Sequence, residues 1–301
     1  MNRTGLLYGL AAYGWWGLMP LYFEQVKDVP PFEILAHRIV WSCLLLAVLT
    51  TALRRWGEVK RCLTDSVSRR LLLVTTVLVA LNWLAYIYAV AIRQVIQASL
   101  GYFILPLVSV LLGTLLLGER LRPAQWVAVA LAAGGVIWIV VGEGRWPWLS
   151  LIIAVSFGLY GLLRKRVAAD GMIALTVETL LLFPPSAAFL LWLACRGGGT
   201  MGHESVGMDL ILLLSGVVTT APLFCFGEAA RHLPLTTLGF LQYLSPTLQL
   251  ILGVARLGEE FGAARQVGFG FIWAGLVVFS LASLAQLRQS RVAAGLVPEG
   301  E

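Results

Sequence analysis

Three ionisable residues stand close together inside a long apolar segment. Glu33 and His37 are four positions apart, so they would share a helix face, with Arg38 about 100° round the axis from His37. A charge at the centre of a membrane helix costs roughly 2.5–3.5 kcal/mol on insertion scales, so these residues need partners or a function. Arg38 could attract an anionic group of a substrate, and Glu33 or His37 could titrate. The alternative is a structural salt bridge that holds this segment against a neighbouring helix.

Other apolar segments carry further polar candidates. Glu178 is the positional counterpart of Glu33 in the second half of the chain, but no His-Arg pair follows it. Asn82 and Tyr86 are one helical turn apart. Both could line a binding site, although Asn82 could equally bond only to a neighbouring helix.

Two segments carry a matching polar face that contains a proline. In each segment four residues are separated by four, three and four positions. The first set is Tyr102, Pro106, Ser109 and Gly113, and the second is Gln242, Pro246, Gln249 and Gly253. Proline leaves a backbone carbonyl without its helical donor, so the two prolines and two glycines are hinge candidates. A solute pathway would use such a face, and close helix packing through small residues is the alternative.

The sequence lacks the patterns of common enzyme and metal sites. The four cysteines are scattered with no C-x-x-C spacing, and there is no H-E-x-x-H and no G-x-S-x-G motif. We therefore expect no catalytic residue, no metal and no cofactor. The net charge of +6 comes largely from basic residues in short loops, where membrane topology accounts for it, and we expect no nucleic-acid partner.

The elements that must position these residues are membrane spans. Hydrophobic residues make up 59% of the chain and charged residues 13%, a balance that needs lipid to cover the apolar surface. Ten apolar runs are predicted as transmembrane helices in an all-α fold, at 5–23, 32–52, 71–91, 97–117, 123–141, 147–163, 172–194, 209–228, 235–255 and 265–286.

Positive charge predicts the orientation of these spans. With the N-terminus inside, fifteen Lys and Arg residues fall on the cytoplasmic side and six on the outer side, and Arg38 is the last of the 22. Both termini are therefore predicted to be cytoplasmic in a multi-pass protein.

An internal repeat divides the chain. Residues 106–121 and 246–261 match at six of sixteen positions, and the spacing of twelve from a Pro to a Gly-Glu pair occurs in both. Five spans per half invert the second half relative to the first. We predict two inverted repeats, at 3–142 and 146–287, with a substrate site near the midplane where they meet.

Several of these patterns resemble one known family. They are Pro31-x-Glu33-x-x-x-His37-Arg38-x-x-Trp41-Ser42, the run Leu100-Gly101-Tyr102-Phe103-x-x-Pro106, both Leu-Gly-Glu elements, and Gln242-Tyr243 before Pro246. Together they resemble the RarD subfamily of EamA transporters, in the drug/metabolite transporter superfamily. The resemblance covers roughly residues 3–290. It implies ten helices, two EamA repeats and a permease of the bacterial inner membrane, and it supplies no set of ligand residues.

The function expected from these features is transport of a small metabolite or drug-like solute. Inverted repeats favour alternating access, and we expect an exporter that is coupled to protons through Glu33 or His37. The expected partners are the solute and the lipid bilayer, and a homodimer is compatible with the sequence. The alternatives are a membrane scaffold or sensor without transport, and an intramembrane enzyme.

Overall fold

The structure, a computed structural model, describes residues 3–117, 123–144, 146–164, 166–232 and 241–293. Within these residues every regular element is a helix. The helices are α1 Arg3–Gln25, α2 Pro31–Ala52, α3 Trp56–Thr64, α4 Ser66–Ala91, α5 Val95–Leu117, α6 Pro123–Glu143, α7 Trp148–Arg164, α8 Gly171–Cys195, α9 Val206–His232, α10 Leu244–Ala255 and α11 Ala263–Ala293. The predicted all-α class is confirmed.

Six described helical segments are long and apolar enough to cross a membrane by themselves. They are Pro31–Ala52, Ser66–Ala91, Trp126–Glu143, Gly171–Cys195, Val206–Phe226 and Ala263–Ala282. Many large apolar side chains on these helices are exposed, including Val77 and Val141, which in water would be unfavourable. The fold is therefore that of a multi-pass membrane protein.

Helix α3 was not predicted from the sequence. It is nine residues long and amphipathic, with Val59 and Cys62 buried in a cluster that includes Ile173 and Val177 of α8. A helix this short cannot span a bilayer, so a search for long apolar runs passes over it. We use α3 to name the two ends of the bundle, the α3 end and the opposite end.

Local sequence accounts for where several helices begin. Asp65 caps α4 by accepting from Ser68 N at 2.7 Å, and Asp170 caps α8 by accepting from Ile173 N at 2.9 Å. Pro31 opens α2, where its missing N–H removes no helical bond.

Of the ninth predicted span, 235–255, residues 235–240 lie outside the described residues, and the described part is not one continuous helix. Gln242 and Tyr243 form a turn, and α10 begins only at Leu244. Pro246 thus lies in the first turn of α10, where its missing N–H costs no bond, and not inside a continuous span. In the first half, α5 is one helix from Val95 to Leu117.

Helices of the first half (α1–α6) pack largely on helices of the second half (α7–α11). Helix α1 packs on α9 and α10, α2 on α8 and α9, α4 on α7 and α8, α5 on α7 and α10, and α6 on α11. The helices α1, α2, α4, α5 and α6 correspond in order to α7, α8, α9, α10 and α11. When each helix is exchanged for its counterpart, every contact above becomes another contact of the same set or stays the same; for example, α1–α9 becomes α7–α4. The packing thus repeats between the halves.

Candidate functional site

Arg38 is buried in the middle of the bundle with aromatic neighbours. Its side chain is only 4% exposed, and its Cζ lies 5.3 Å from the ring centre of Phe23 and 4.9 Å from that of Trp83. Its Nε donates to Thr219 Oγ1 at 3.1 Å, the one side-chain hydrogen bond that Arg38 makes within the described residues. The cation is therefore held by two rings and one hydroxyl, from α1, α4 and α9.

Three tyrosines complete the surroundings of Arg38. Tyr22, Tyr86 and Tyr102 also lie near the guanidinium. The rings of Tyr86 and Tyr102 lie 6.0 Å apart, and Tyr86 also packs against Phe23 at 5.7 Å. We call the six residues around Arg38 the Arg38 cage, and they are Tyr22, Phe23, Trp83, Tyr86, Tyr102 and Thr219.

Asn82 joins the cage to the second half of the chain. Its amide nitrogen donates to the backbone oxygen of Ile153 at 3.0 Å and to Ser156 Oγ at 3.1 Å, both on α7. Its amide oxygen accepts from the Tyr102 hydroxyl at 3.4 Å. The predicted candidates Arg38, Asn82, Tyr86 and Tyr102 are therefore brought together.

His37 directly precedes Arg38 on α2, and Glu33 lies one turn further toward the opposite end of the bundle. Trp41 Nε1 donates to His37 Nδ1 at 3.3 Å, so the neutral ring carries its proton on Nε2. That Nε2 is buried, has no hydrogen-bond partner in the described residues, and lies 3.8 Å from Glu33 Oε1.

The loop after α8 closes over Glu33. The carboxylate accepts from the backbone N–H of Thr200, and Asp209 accepts from Gly202 N at 2.8 Å. Gly199 has φ +94°, and a side chain there would meet Leu193 and Glu33. Glycine is thus required for the loop to reach the end of α2.

Glu178 forms a separate buried site nearer the α3 end. It is fully buried on α8, accepts from Thr75 Oγ1 of α4 at 2.7 Å, and accepts from the Tyr160 hydroxyl of α7 at 3.2 Å. No ion pair to Glu178 is formed within the described residues. A buried carboxylate held only by hydroxyls can gain or lose a proton without breaking a salt bridge.

Gln249 and its neighbours contact α1 and α5. Gln249 Nε2 donates to the backbone oxygen of Trp16 at 3.0 Å and to Ser245 Oγ at 3.3 Å. A methyl group on Gly253 would lie 3.1 Å from Ile96 Cγ1, so this glycine allows α10 to approach α5. Gln242 lies half-buried in the turn before α10.

Three predicted residues have side chains outside the described part of the structure. Pro106, Ser109 and Gly113 fall within α5, whose backbone is helical, but their side-chain surroundings are not described. Their proposed common face with Tyr102 stays a prediction.

Sequence reasoning missed several partners of the predicted residues. Thr75, Tyr160, Thr200 and Thr219 carry no pattern of their own, since apolar helices commonly contain Thr and Tyr. Trp83 is also missed, although its ring packs on Arg38. Its placement one residue after Asn82 was the available signal.

Comparisons with known proteins agree with the membrane fold. The profile of the EamA-like transporter family matches residues 3–141 and again residues 144–281. The chain is 45% identical to a protein named RarD from Streptomyces exfoliatus, covering 96% of this chain and 92% of that one. It is 46% identical to an uncharacterized transporter of Vibrio cholerae, covering 94% and 93%. A crystal structure with 18% identity matches with a TM-score of 0.58 over 94% of this chain and 99% of that chain, which shows the fold alone.

Proposed function

This chain belongs to the EamA-like transporter family, and from that premise we propose that it is a secondary transporter that exports a small metabolite or drug-like solute. The predicted resemblance to RarD is confirmed, and relatives of the chain are named as transporters. The proposal adds the mechanism, which is alternating access driven by protons, and the location, which is the bacterial inner membrane.

One observation carries this proposal, namely that buried polar side chains meet where the first half contacts the second. These cross-half bonds form a set that we call the polar seam. Four join two side chains, namely Arg38–Thr219, Thr50–Thr176, Thr75–Glu178 and Asn82–Ser156, and in the fifth the Gln249 side chain donates to the backbone oxygen of Trp16. Helices in lipid can associate through apolar packing alone. Polar groups concentrated between two halves instead suit a pathway that must accept a solute and its water.

Alternating access requires two halves that can exchange shapes. The proposal takes ten spans in two inverted repeats, 3–142 and 146–287, with both termini cytoplasmic. The paired packing of the halves and the excess of Lys and Arg at the α3 end support it.

Proton coupling is assigned to two buried carboxylates, Glu33 in the first turn of α2 and Glu178 further inside α8. Each is buried on the second helix of its half, one near each end of the bundle. His37 positions Glu33, because its Nε2 proton points toward that carboxylate when Trp41 occupies Nδ1. Substitution of Glu178 by Gln keeps hydrogen-bonding groups for Thr75 and Tyr160 while removing the titration.

The first experiment is metabolite profiling inside and outside cells that express the wild type, an empty vector, Asn82→Leu or Val77→Ala. Asn82 belongs to the seam, and Val77 is an exposed residue of the same helix, so Val77→Ala is the matched control. We expect at least one solute to accumulate outside with wild type and Val77→Ala, but not with Asn82→Leu. If wild type and vector do not differ while the protein is present in the membrane, the scaffold or sensor alternative is favoured.

Coupling is tested with that solute in proteoliposomes under an imposed pH gradient. We expect Glu33→Gln and Glu178→Gln to abolish the dependence of flux on the gradient, with His37→Ala weakening it. Unchanged flux and pH dependence in both Glu33→Gln and His37→Ala would remove Glu33 and His37 from the coupling mechanism.

A further inference from the structure

Arg38 is a buried cation without a counter-ion in the described structure. None of the described carboxylates forms an ion pair with it, and its side-chain contacts are two rings and one hydroxyl. Removing an ion from water is costly even after the protein relaxes. The cation–π contacts with Phe23 and Trp83 offset only part of this cost. An anion bound to Arg38 would supply the remainder.

The unpaired part of the guanidinium has the geometry of a carboxylate receptor. The Nε–H group donates to Thr219, whereas the two Nη atoms make no hydrogen bond within the described residues. Two parallel N–H groups match the two oxygens of a carboxylate. A phosphate dianion would call for a second cation, and none is among the described side-chain contacts of Arg38.

Apolar space for the rest of a ligand lies beside the cage. A groove with a volume of about 460 Å³ runs along α1, and Tyr22 and Val218 form part of its wall. Tyr22 belongs to the cage, and Val218 precedes Thr219, the partner of Arg38. The remaining lining is apolar and includes Trp15, Leu18 and Met19. A hydrocarbon or aromatic group would be accommodated there.

We propose that Arg38 binds the carboxylate of an organic monoanion whose apolar body occupies the adjoining groove. Given the proposed function, this anion represents the class of the transported solute. Arg38 sets the charge of the ligand, and the aromatic side chains around it set its apolar character. Neutral and cationic molecules of the same shape are rejected because they would leave the buried cation uncompensated.

The test is thermal unfolding of the purified full-length protein in detergent with three matched probes. They are phenylacetate, phenylacetamide and phenethylammonium, which share one ring and differ in charge, at constant ionic strength. Only phenylacetate should raise the unfolding midpoint of the wild type, with a dose dependence that yields a Kd. Val77→Ala is the control variant and should behave as the wild type does.

Two substitutions of Arg38 assign the effect to its side chain. Arg38→Gln should weaken phenylacetate binding by about tenfold or more, because it removes the charge-assisted bonds. Arg38→Lys keeps the positive charge but lacks the two parallel N–H groups. Its Kd for phenylacetate should lie between those of the wild type and Arg38→Gln. If Arg38→Gln does not fold, the charge series on the wild type and the Lys variant still decide.

Three results would overturn the inference: no stabilisation by phenylacetate, equal stabilisation by phenylacetamide, or an unchanged Kd in the Arg38 variants. Flux of phenylacetate into proteoliposomes separates this inference from the proposed function. Charge-selective binding that depends on Arg38 without any flux would support the site and contradict transport. Solute flux that is unchanged by the Arg38 substitutions would support transport and contradict the proposed binding site.

Discussion

Between α6 and α11 the two halves of the chain meet through glycines, whereas between the helices of the polar seam they meet through hydrogen-bonding side chains. A methyl group on Gly135 would lie 2.5 Å from the backbone oxygen of Gly268, and one on Gly275 would lie 2.8 Å from that of Ala128. In the seam, by contrast, Arg38 and Asn82 reach across to hydroxyl and carbonyl groups of the other half.

The two contacts also differ in how completely they are satisfied. Backbone-to-backbone approach at glycines gains dispersion energy only at close range, so it favours a fixed arrangement. The seam and its surroundings hold buried polar atoms without partners in the described residues, among them His37 Nε2, Tyr86 Oη and Gln249 Oε1. A buried polar atom without a hydrogen-bond partner destabilises the conformation that contains it. These atoms are explained if a ligand, or a second conformation of the protein, supplies the missing partner. Under the proposed alternating access, we expect the α6–α11 contact to stay fixed and the seam to rearrange.

The largest expected effect comes from filling the glycine contact. Gly135→Ala places a methyl group against the backbone of α11 and should destabilise the protein by about 1–3 kcal/mol, as overpacking does. Gly134→Ala is the adjacent control, since a side chain there meets nothing within 4 Å, and it should be neutral or stabilise by up to about 1 kcal/mol. Thermal unfolding in detergent measures both, and equal midpoints for the two variants would show that α6 and α11 are not closely packed.

A smaller effect is expected in the seam. Asn82→Leu removes the bonds to Ile153 and Ser156, and interhelical bonds of this kind contribute on average about 0.6 kcal/mol and at most about 1.7 kcal/mol in a membrane protein. The loss should therefore be smaller than that of Gly135→Ala in the same unfolding assay. A larger loss than that of Gly135→Ala would mean that the seam, and not the glycine contact, holds the halves together.

Glu259 offers a test at the opposite end of the bundle. Its carboxylate accepts from the backbone N–H groups of Val95 and Ile96, so the second half caps the start of α5 in the first half. Burial raises the pKa of Glu259, and the two backbone bonds offset only part of this rise, so the charge itself adds no stability at pH 7. Glu259→Gln leaves one oxygen for two N–H donors and should cost about 0.5–1 kcal/mol, close to the net contribution of one hydrogen bond. The measurement is the unfolding midpoint at pH 7, and Glu260→Gln is the matched control on the neighbouring residue.

The smallest effect is expected for the surface tie at the α3 end. Arg55 bonds to Glu58 and, across the halves, to Asp170. The bond from Arg55 lowers the pKa of Glu58, and for Asp170 burial is outweighed by the Ile173 N–H and Arg55, which lower its pKa as well. A carboxyl group whose pKa is lowered on folding stabilises the protein at any pH above its unfolded pKa, which is near 4. This stabilisation is lost as the pH falls through the pKa of the folded state.

Arg55→Ala should therefore lower the unfolding midpoint slightly at pH 7 and not at all at a pH below the folded carboxyl values. Salt should reduce the difference at pH 7, because the pair is partly exposed. A difference that persists in acid would show that Arg55 stabilises the α3 end by packing and not by its charge.

Much of the helical framework was predictable because the bilayer imposes a length and a composition on each span. The segment 32–52 matches α2, Pro31–Ala52, and the segment 172–194 matches α8, Gly171–Cys195. The amphipathic α3 and the turn at Gln242 were not predictable from apolar runs, since neither is a long hydrophobic segment. The burial of Arg38 and Glu178 followed from their positions inside such runs, whereas the burial of Glu33 under the loop after α8 and the partners of all three residues did not.

By itself the sequence determined that the chain is a membrane protein of apolar helices in two similar halves. It also marked the ionisable residues that the bilayer makes costly. Only the tertiary structure decided that Arg38 faces Phe23, Trp83 and Thr219, and not Glu33 five residues away on the same helix. The reason is physical: periodicity places a side chain on a helix face, whereas its neighbours depend on which helix of the other half packs there.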